Sequence, residues 1–345
     1  MEQTPLHCAQ YIKEIGRGKD NPGDLSRDQA LLVWGALLDG RISDLEVGAI
    51  LIAMRIKGES VDEIAGFLDA TEVRGTRIAL PVPGAVPVVI PSYNGARNLP
   101  NLTPLLALLL ARKGVPVLVH GKVGERGGDS SSPRSAHDFD APAFVKAVSP
   151  RVTSGEIFEV LGLPAARSSS EVSLQLKRGE PAFVPIGVLN APLARVLTLR
   201  RTLGVRSPAH TLVKLLQPFD GPALRLASFT HPEYHDTLSA LFLSHPQGGD
   251  VLLSRATEGE PVANARRAAA IEWFGNGAVS TVVAGQGSAG TAPVLPDSRD
   301  ASTTARWIEA VLSGEIPVPE AIDAQCEAIL AVRSAMMDRM RGAAA

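Results

Sequence analysis

The sequence has little cysteine and no apolar run of membrane-spanning length, and both absences narrow its class. Only Cys8 and Cys326 occur, and neither has a partner at the spacing of a metal site or a redox motif. This pattern argues against a disulfide framework and favours a reducing compartment. The longest apolar run, 105–111, is far shorter than a bilayer-crossing helix, and the first residues lack the apolar core of a signal peptide. We therefore expect a cytoplasmic protein that does not contact a membrane.

A large charge excess is also missing. The chain has 34 basic and 36 acidic residues, which gives a net charge of −2. A polyanionic partner would therefore need a local basic patch on the surface. Aromatic residues make up only 4% of the chain, and none lies between positions 190 and 218. Stacking of nucleic-acid bases on that segment is accordingly not expected.

The N-terminal residues do contain the start signals of a helical bundle. Three times, a serine is followed three residues later by Gln or Glu, which is the capping box that begins a helix. These pairs are Ser26 with Gln29, Ser43 with Glu46 and Ser60 with Glu63. Apolar residues at helical spacing follow the second start, at Val47, Ile50, Leu51 and Met54. Residues 1–76 are predicted to form a small helical domain.

Beyond Pro81, short β-branched runs alternate with helical patterns. The first unit is a strand at 88–90, a turn-rich loop, a buried helix at 102–111 and a strand at 115–119. Further strands are predicted at 182–186, 224–229, 251–253 and 279–284, and further helices at 153–161, 168–177, 190–203, 231–242, 263–274, 301–312 and 320–340. Such alternation predicts an α/β domain, over 80–166 and 186–345, with a mostly parallel central sheet covered on both faces.

Residues 122–150 interrupt this pattern. They are rich in Gly, Ser, Asp and Pro, and they centre on GERGGDSSSPRSAHDFD. A segment of this composition buries too little apolar surface to offset the entropy lost on ordering. We predict an exposed, flexible insertion with a short helix at 141–148. Its GERGGD sequence lacks the strand and helix that frame a phosphate-binding loop.

The loop after the first strand is the first candidate site. In open α/β sheets, ligands bind beyond the carboxyl ends of the strands. That rule selects Ser92, Tyr93, Asn94, Gly95 and Arg97, together with His120 and Gly121 at the end of the second strand. Tyr93, Asn94, Arg97 and His120 could form a small-ligand or phosphate site. The alternative is a loop that has only a structural role.

A basic segment is the second candidate site. Five basic residues and no acidic residue lie between positions 195 and 214. The candidates for nucleic-acid binding are Arg195, Arg200, Arg201, Arg206, Lys214, Arg225, Arg266 and Arg267. Cations clustered on one face would release counterions from a polyanion and contact its backbone without reading bases. The alternative is a solvated helix face with one arginine at the core edge. Arg266 and Arg267 are expected within the helix at 263–274, where they would extend the face.

Two segments resemble the anthranilate phosphoribosyltransferase family, a glycosyltransferase family 3 group. Residues 25–70, LSRDQALLVWGALLDGRISDLEVGAILIAMRIKGESVDEIAGFLDA, are very similar to the N-terminal domain of those enzymes. Residues 199–218, LRRTLGVRSPAHTLVKLLQP, resemble their RxxLGxRT stretch. The resemblance implies a nucleoside phosphorylase/phosphoribosyltransferase-like fold. It also implies that a later excursion near 167–185 completes the helical domain and that this domain forms a homodimer.

The motifs that carry catalysis in those enzymes are altered here. Their pyrophosphate-binding GTGGD loop is PSYNGAR, which keeps only Gly95, and their N-x-S-T motif retains Asn101 and Thr103. Their KHGNR becomes VHGK at 119–122, so the phosphate-binding lysine and the substrate-side Asn and Arg are lost. Arg200 matches the arginine that contacts the aromatic acceptor. Of the Asp-Glu magnesium pair only Glu258 aligns, so Glu258 and Glu260 are interpreted as a polar turn and no metal is assigned.

The altered motifs are similar to a divergent branch, the YbiB-type proteins. PSYNGAR, LTPLLALLLAR and TEGEP are the shared sequences. Members of that branch are known as nucleic-acid-binding homodimers without demonstrated tryptophan-pathway activity. The resemblance implies a homodimer that binds DNA without sequence specificity, with no cofactor and no assigned catalytic residue. The alternative is an enzyme that transfers a phosphoribosyl or other glycosyl group from phosphoribosyl pyrophosphate to an unidentified acceptor, and that enzyme would need Mg²⁺.

Overall fold

The computed structural model describes residues 4–17, 23–124, 151–246, 249–285, 287 and 292–344. The helices in these ranges are α1 (Ala9–Ile15), α2 (Arg27–Leu38), α3 (Asp44–Lys57), α4 (Val61–Glu72), α5 (Thr103–Arg112), α6 (Ser154–Val160), α7 (Ser169–Lys177), α8 (Ile186–Leu189), α9 (Ala191–Thr198), α10 (Arg200–Leu203), α11 (Ala209–Leu212), α12 (Pro232–Ser244), α13 (Ala301–Ser313) and α14 (Glu320–Ala344). The strands are β1 (Val88–Ser92), β2 (Val117–Gly121), β3 (Ala182–Pro185), β4 (Leu224–Phe229), β5 (Val251–Arg255), β6 (Ile271–Gly275) and β7 (Ala278–Val283). None of the helices in the described ranges is long and apolar enough to cross a bilayer.

The N-terminal helices begin where the capping boxes predict. Ser26, Ser43 and Ser60 each cap a helix, with the reciprocal hydrogen bonds to Gln29, Glu46 and Glu63 present. Inside the bundle the rings of Trp34 and Phe67 lie 4.8 Å apart, and Trp34 Nε1 donates to Thr71 Oγ1 at 3.0 Å. The capping boxes therefore fix where each helix begins, and contacts between the apolar faces hold the helices together.

The strands form one sheet in the order β3-β2-β1-β4-β5-β6-β7. Neighbours from β3 to β5 are parallel, whereas β6 and β7 add an antiparallel edge. One face packs against α1–α4, α7–α9, α11 and α12, and the other against α5, α6, α13 and α14. The predicted α/β architecture is confirmed. Because β2 and β4 lie on opposite sides of β1, the strand order reverses at β1, and that is where α/β proteins form a ligand crevice.

The helix predicted over 263–274 is wrong. Residues 264–267 form a turn with a bridge between Asn264 and Arg267, and β6 follows at Ile271. Asn276 and Gly277 then take φ values of 53° and 71°, which is the geometry of a tight hairpin turn. The missed signal was this Asn-Gly pair, since it is the strongest short-range mark of a hairpin. Alanine has a high helix propensity, yet the run from 268 to 270 is irregular backbone.

The segment 167–185 divides between helix and sheet. α7 packs on β2 and β3, and residues 182–185 are β3 itself. Contacts with the N-terminal helices come from just beyond it, where Leu189 O accepts from Thr76 N at 2.7 Å and Asn190 Nδ2 donates to Thr71 O at 2.8 Å. The predicted insertion at 122–150, including its short helix, lies outside the described residues except for its first three positions.

Candidate functional site

Three segments that are remote in sequence meet at the carboxyl edge of the sheet. β1 and β2 end side by side, with Ser92 paired to Gly121, and the loop after β1 crosses this edge. Asn94 joins the segments, since its Nδ2 donates to Gly259 O at 3.1 Å and its Oδ1 accepts from Arg206 Nη2 at 3.2 Å. The ligand loop, the turn at 257–260 and the basic segment therefore form one site.

Glu260 lies at the centre of a buried polar network. It is 1% exposed, and its carboxylate accepts from Gly95 N at 2.8 Å, from the Ser92 hydroxyl and from Thr103 Oγ1 at 3.4 Å. The Ser92 and Ser154 hydroxyl oxygens are 2.6 Å apart. Burial raises the pKa of Glu260 in spite of these donors. The hydrogen bonds of the Glu260 carboxylate thus all come from β1, the loop or the helix that follows it.

The second carboxylate of the turn, Glu258, holds the next part of the loop. It accepts from the backbone amides of Arg97 at 2.5 Å, Asn98 at 2.9 Å and Leu99 at 3.4 Å. Burial alone would raise the pKa of Glu258, but these amide hydrogen bonds outweigh it and the pKa is lowered. The carboxylate is therefore ionised at neutral pH, and it is directed at backbone amides.

The magnesium pair of the phosphoribosyltransferases does not fit the residues present. Glu258 and Glu260 both have their oxygens engaged by amides and hydroxyls of the loop. In the part of the chain that the structure describes, no group of three or more His, Cys, Asp or Glu side chains could hold a metal ion. Oxygen ligands for Mg²⁺ would have to come from carboxylates that leave these partners.

Five cations surround this network, and we name them the basic cluster: Arg151, Arg200, Arg201, Arg206 and Lys214. Burial and the neighbouring Arg200 and Arg151 lower the pKa of Arg206. Burial also lowers the pKa of Lys214 to about 8, with Glu260 opposing the shift and Arg206 and Arg151 adding to it. Among the described residues, no carboxylate forms an ion pair with Arg200, Arg201, Arg206 or Lys214. Within the described residues, these four cations therefore carry positive charge that no ion pair neutralises.

Arg151 and Tyr93 also belong to the site, although neither lies in the basic segment. Arg151 Nη1 donates to Gly95 O at 2.7 Å, and burial, followed by Arg97, lowers the Arg151 pKa. Tyr93 packs edge-on against His210, with ring centroids 5.9 Å apart. Burial raises the Tyr93 pKa, while Arg200, Arg201 and Arg206 oppose that rise. An aromatic ring thus lies among the cations, although none was present in the basic segment itself.

His210 is buried under the same cations. Burial, then Arg206 and Arg200, lowers its pKa to about 4, so the ring is neutral at pH 7. His120 is fully buried on β2, where burial lowers its pKa to about 4. Neither nitrogen of His120 has a hydrogen-bond partner among the described residues. A side chain at Gly121 would collide with the Ser92 carbonyl oxygen, so glycine allows β1 and β2 to close together.

Arg225 does not belong to the basic surface, and that prediction was wrong. The residue is 6% exposed on β4, where it donates to Leu215 O at 2.8 Å and lies 5.9 Å from the Phe242 ring centroid. Burial lowers its pKa to about 10. Its neighbours Leu224 and Leu226 face one core while Arg225 faces the other, because side chains alternate along a strand.

The remaining predicted cations lie at the margins of the site. Arg195 is exposed on α9, but its Nη2 donates to Leu38 O at 2.6 Å and ties α9 to the helical bundle. Arg266 and Arg267 are exposed in the turn beyond the carboxyl end of β5. They share the edge of the sheet with the basic cluster, although they do not begin a helix.

Known proteins share this architecture. Residues 9–72 match the glycosyl transferase family, helical bundle domain. The chain is 40% identical over 315 residues to the uncharacterized protein YbiB of Escherichia coli (strain K12), across 91% of this chain and 90% of that protein. It is 27% identical over 216 residues to the anthranilate phosphoribosyltransferase of Persephonella marina, across 62% of this chain and 54% of that enzyme.

Solved structures agree on the fold. The anthranilate phosphoribosyltransferase of Thermus thermophilus superposes with a TM-score of 0.61 at 19% identity, covering 94% of this chain and 96% of that one. The Saccharomyces cerevisiae enzyme in complex with PRPP and Mg gives 0.63 at 16% identity, covering 92% and 85%. At such identities the likeness concerns the fold alone. Together with the 40% identity to YbiB, these findings show that the chain belongs to the YbiB branch of the anthranilate phosphoribosyltransferase-like, glycosyltransferase family 3 proteins.

Proposed function

We propose that this protein binds nucleic acid, DNA in the first instance, through the sugar–phosphate backbone and as a homodimer. The observation that carries the proposal is the basic cluster at the carboxyl edge of the sheet. Arg200, Arg201, Arg206 and Lys214 have no ion-pair partner among the described residues. Mutual repulsion of such cations costs folding free energy, and a polyanion relieves it by supplying the missing charge.

Several features favour contact without sequence specificity. The exposed members, Arg200 and Arg201, carry permanently charged guanidinium groups, whose forked donors match phosphate oxygens. Phosphate contacts fix the position of a nucleic acid but do not discriminate among bases. Tyr93 lies among the cations, and its ring would add stacking that every base can accept.

The alternative function, phosphoribosyl transfer, has less support from the same geometry. It would require pyrophosphate at the loop after β1 and Mg²⁺ beside it. The amides of Gly95, Arg97 and Asn98 instead bind Glu258 and Glu260. Arg200 is retained, but the groups that would hold the donor are engaged with each other. Binding of a polyanion at the neighbouring cations needs none of those groups.

An unpaired apolar face on α3 supports the homodimer. Leu45 and Ile56 are 85% and 70% exposed, and Ile52 lies between them on the same side of the helix. Small residues, Gly48, Ala49 and Ala53, complete this stripe and permit close approach of a second helix. Contiguous exposed apolar surface of this kind marks an association face, and a two-fold axis would bury it against its own copy.

Charge reversal tests the nucleic-acid proposal. Arg200→Glu with Arg201→Glu should weaken binding of labelled DNA more than about 10-fold and lower the slope of log affinity against log salt. Oligonucleotides of different sequence should lose affinity equally. Arg206 is left intact because it also holds Asn94. Fluorescence anisotropy across a salt series measures both quantities.

The matched control is Lys177→Glu with Arg178→Glu. Both residues are exposed, and they precede β3, which places them at the amino edge of the sheet. This control makes the same change in net charge at the opposite edge. Equal losses in the two double variants would indicate a general charge effect, and an unchanged affinity in the Arg200/Arg201 variant would refute the proposed surface.

The dimer has its own test. Leu45→Lys with Ile56→Lys should convert the protein to monomer in sedimentation equilibrium, because two cations on the stripe cannot be buried against their symmetry mates. Stability of the monomer should change little, since both side chains are exposed. A variant that stays dimeric would place the interface elsewhere.

A further inference from the structure

The loop at 95–99 has the geometry of an anion-binding site. Consecutive amides of Arg97, Asn98 and Leu99 converge on one carboxylate, at 2.5, 2.9 and 3.4 Å. Gly95, just before them, gives its amide to a second carboxylate at 2.8 Å. Proteins use such successions of backbone N–H groups to hold phosphate oxygens. Here the same chain supplies the acceptor, from a turn that lies 159 positions beyond Leu99.

The backbone of the turn is adapted to deliver that carboxylate. Glu258 has a φ of 55°, and among the described non-glycine residues only Asn276 is also positive. Gly259 follows at 96°, and a bridge between Thr257 and Glu260 closes the turn. Residues other than glycine and asparagine rarely take this backbone conformation, so the surrounding contacts hold Glu258 there.

Positively charged side chains lie around the bound Glu258 carboxylate. Arg151 donates to Gly95 O at 2.7 Å and to Glu258 O at 3.4 Å, both of which are backbone carbonyls. The Nε of Arg97 is buried and lacks a hydrogen-bond partner among the described residues. A doubly or triply charged oxyanion at the amides would therefore meet guanidinium groups as well as N–H donors, which is the combination that phosphate sites use.

We propose that Glu258 is an internal competitor: its carboxylate occupies a phosphate-binding nest formed by the amides of residues 97–99, and its removal opens that nest to phosphate oxyanions. The inference does not depend on the nucleic-acid proposal. It accounts for the misfit of a magnesium site, because the carboxylate that would bind the ion neutralises the loop instead. The ligand class is a phosphate or pyrophosphate group, either free or part of a nucleic-acid backbone.

The test compares wild-type protein with Glu258→Gln and Glu258→Ala in calorimetric titration with inorganic pyrophosphate. The wild type should bind weakly, because the carboxylate fills the nest, and the variants should bind at least about 10-fold more tightly. Amide resonances of Arg97, Asn98 and Leu99 should shift on titration. Glu309→Gln is the matched control, since Glu309 is exposed on α13 and its substitution removes the same charge.

Two further arms complete the design. An oligonucleotide lacking terminal phosphates tests whether the phosphodiester backbone also binds. If the Glu258 variants gain affinity for pyrophosphate alone, the nest binds free phosphate groups. If they gain affinity for both ligands, the nest also accepts the nucleic-acid backbone. If the neutral variants fail to fold, Glu258→Asp keeps the charge but is too short to reach all three amides, and it should give a smaller gain. Folded variants that bind pyrophosphate no better than the wild type and the Glu309→Gln control would overturn the proposal. A wild type that fails to bind DNA would overturn only the proposed function.

Discussion

The helical bundle and the carboxyl edge of the sheet differ in whether a buried lysine has carboxylate partners. In the bundle, Lys57 is 4% exposed at its side chain and binds Glu63 at 2.7 Å and Asp24 at 2.6 Å. At the sheet edge, Lys214 is half-buried, and its side-chain ammonium has neither an ion pair nor a hydrogen bond among the described residues. The first cation stabilises the fold through its partners. The second has no such partner in the part of the chain that the structure describes, and the proposed function rests on this difference.

The pKa shifts follow the same division. Burial alone would lower the pKa of Lys57, but its two carboxylate partners raise it. Burial lowers the pKa of Lys214 to about 8, and the attraction of Glu260 is not enough to restore it. Partners therefore decide whether a buried cation adds to stability or subtracts from it. Substituting each lysine by the uncharged methionine, which has a similar length, is the direct way to sharpen the contrast.

The largest expected effect is that of Lys57→Met. It leaves the carboxylate of Glu63, which is 0% exposed, buried without its cation. Loss of one member of a buried pair costs about 3–5 kcal/mol in the free energy of unfolding. Urea denaturation followed by circular dichroism measures this loss. A cost below about 1 kcal/mol would mean that water or the backbone solvates Glu63 after the change.

Lys214→Met should behave in the opposite manner. Between pH 8 and the ordinary value of 10.5 the unfolded state binds more protons than the folded state, so the free energy of unfolding rises with pH. Below pH 8 the charged lysine destabilises the fold, and its removal should leave stability unchanged or raise it by about 1 kcal/mol. DNA affinity should fall several-fold at pH 7 because one phosphate partner is lost. A strongly destabilised variant would show that Lys214 is a structural cation after all.

The lowered pKa of Lys214 predicts that DNA binding depends on pH. Wild-type affinity for DNA should decline as pH rises from 7 to 9, because Lys214 loses its proton near pH 8. Lys214→Arg should abolish this decline, since arginine stays charged across the range. Anisotropy titrations at constant ionic strength measure the effect. An identical decline in wild type and Lys214→Arg would assign the titration to another group.

The smallest expected effect concerns the pair of His235 on α12 and Glu272 on β6, neither of which belongs to the basic cluster. His235 Nε2 lies 2.7 Å from the Glu272 carboxylate, and that bond, followed by one to Asp236, raises the His235 pKa above its ordinary value of 6.5. A raised folded-state pKa adds stability that is fully present below pH 6.5 and is lost as pH rises through the folded value. His235 is 31% exposed, so His235→Gln should cost under about 1 kcal/mol at pH 6 and almost nothing at pH 8. Equal costs at both values would indicate a packing effect.

The fold was largely predictable because its signals are local. Capping boxes join residues three positions apart, and alternation of β-branched strands with helices requires no knowledge of distant contacts. The failure at 263–274 was also local, since the Asn-Gly pair at 276–277 would have indicated the hairpin. The sequence also selected the two regions that the fold brings together, the loop by its place after β1 and the basic segment by its run of cations.

What the tertiary structure decided is the partner of each charge. The sequence placed Arg225 with the other arginines, but strand alternation directs it into the core. Glu258 and Glu260 are a polar turn in the sequence, and only the fold brings them to the amides of a loop some 160 positions earlier. The energy of a charge depends on burial and on neighbours within a few ångströms, and neither quantity is a function of sequence separation. The chain alone therefore determined the family, the N-terminal helices and most of the sheet, whereas the fold determined which charges have a partner.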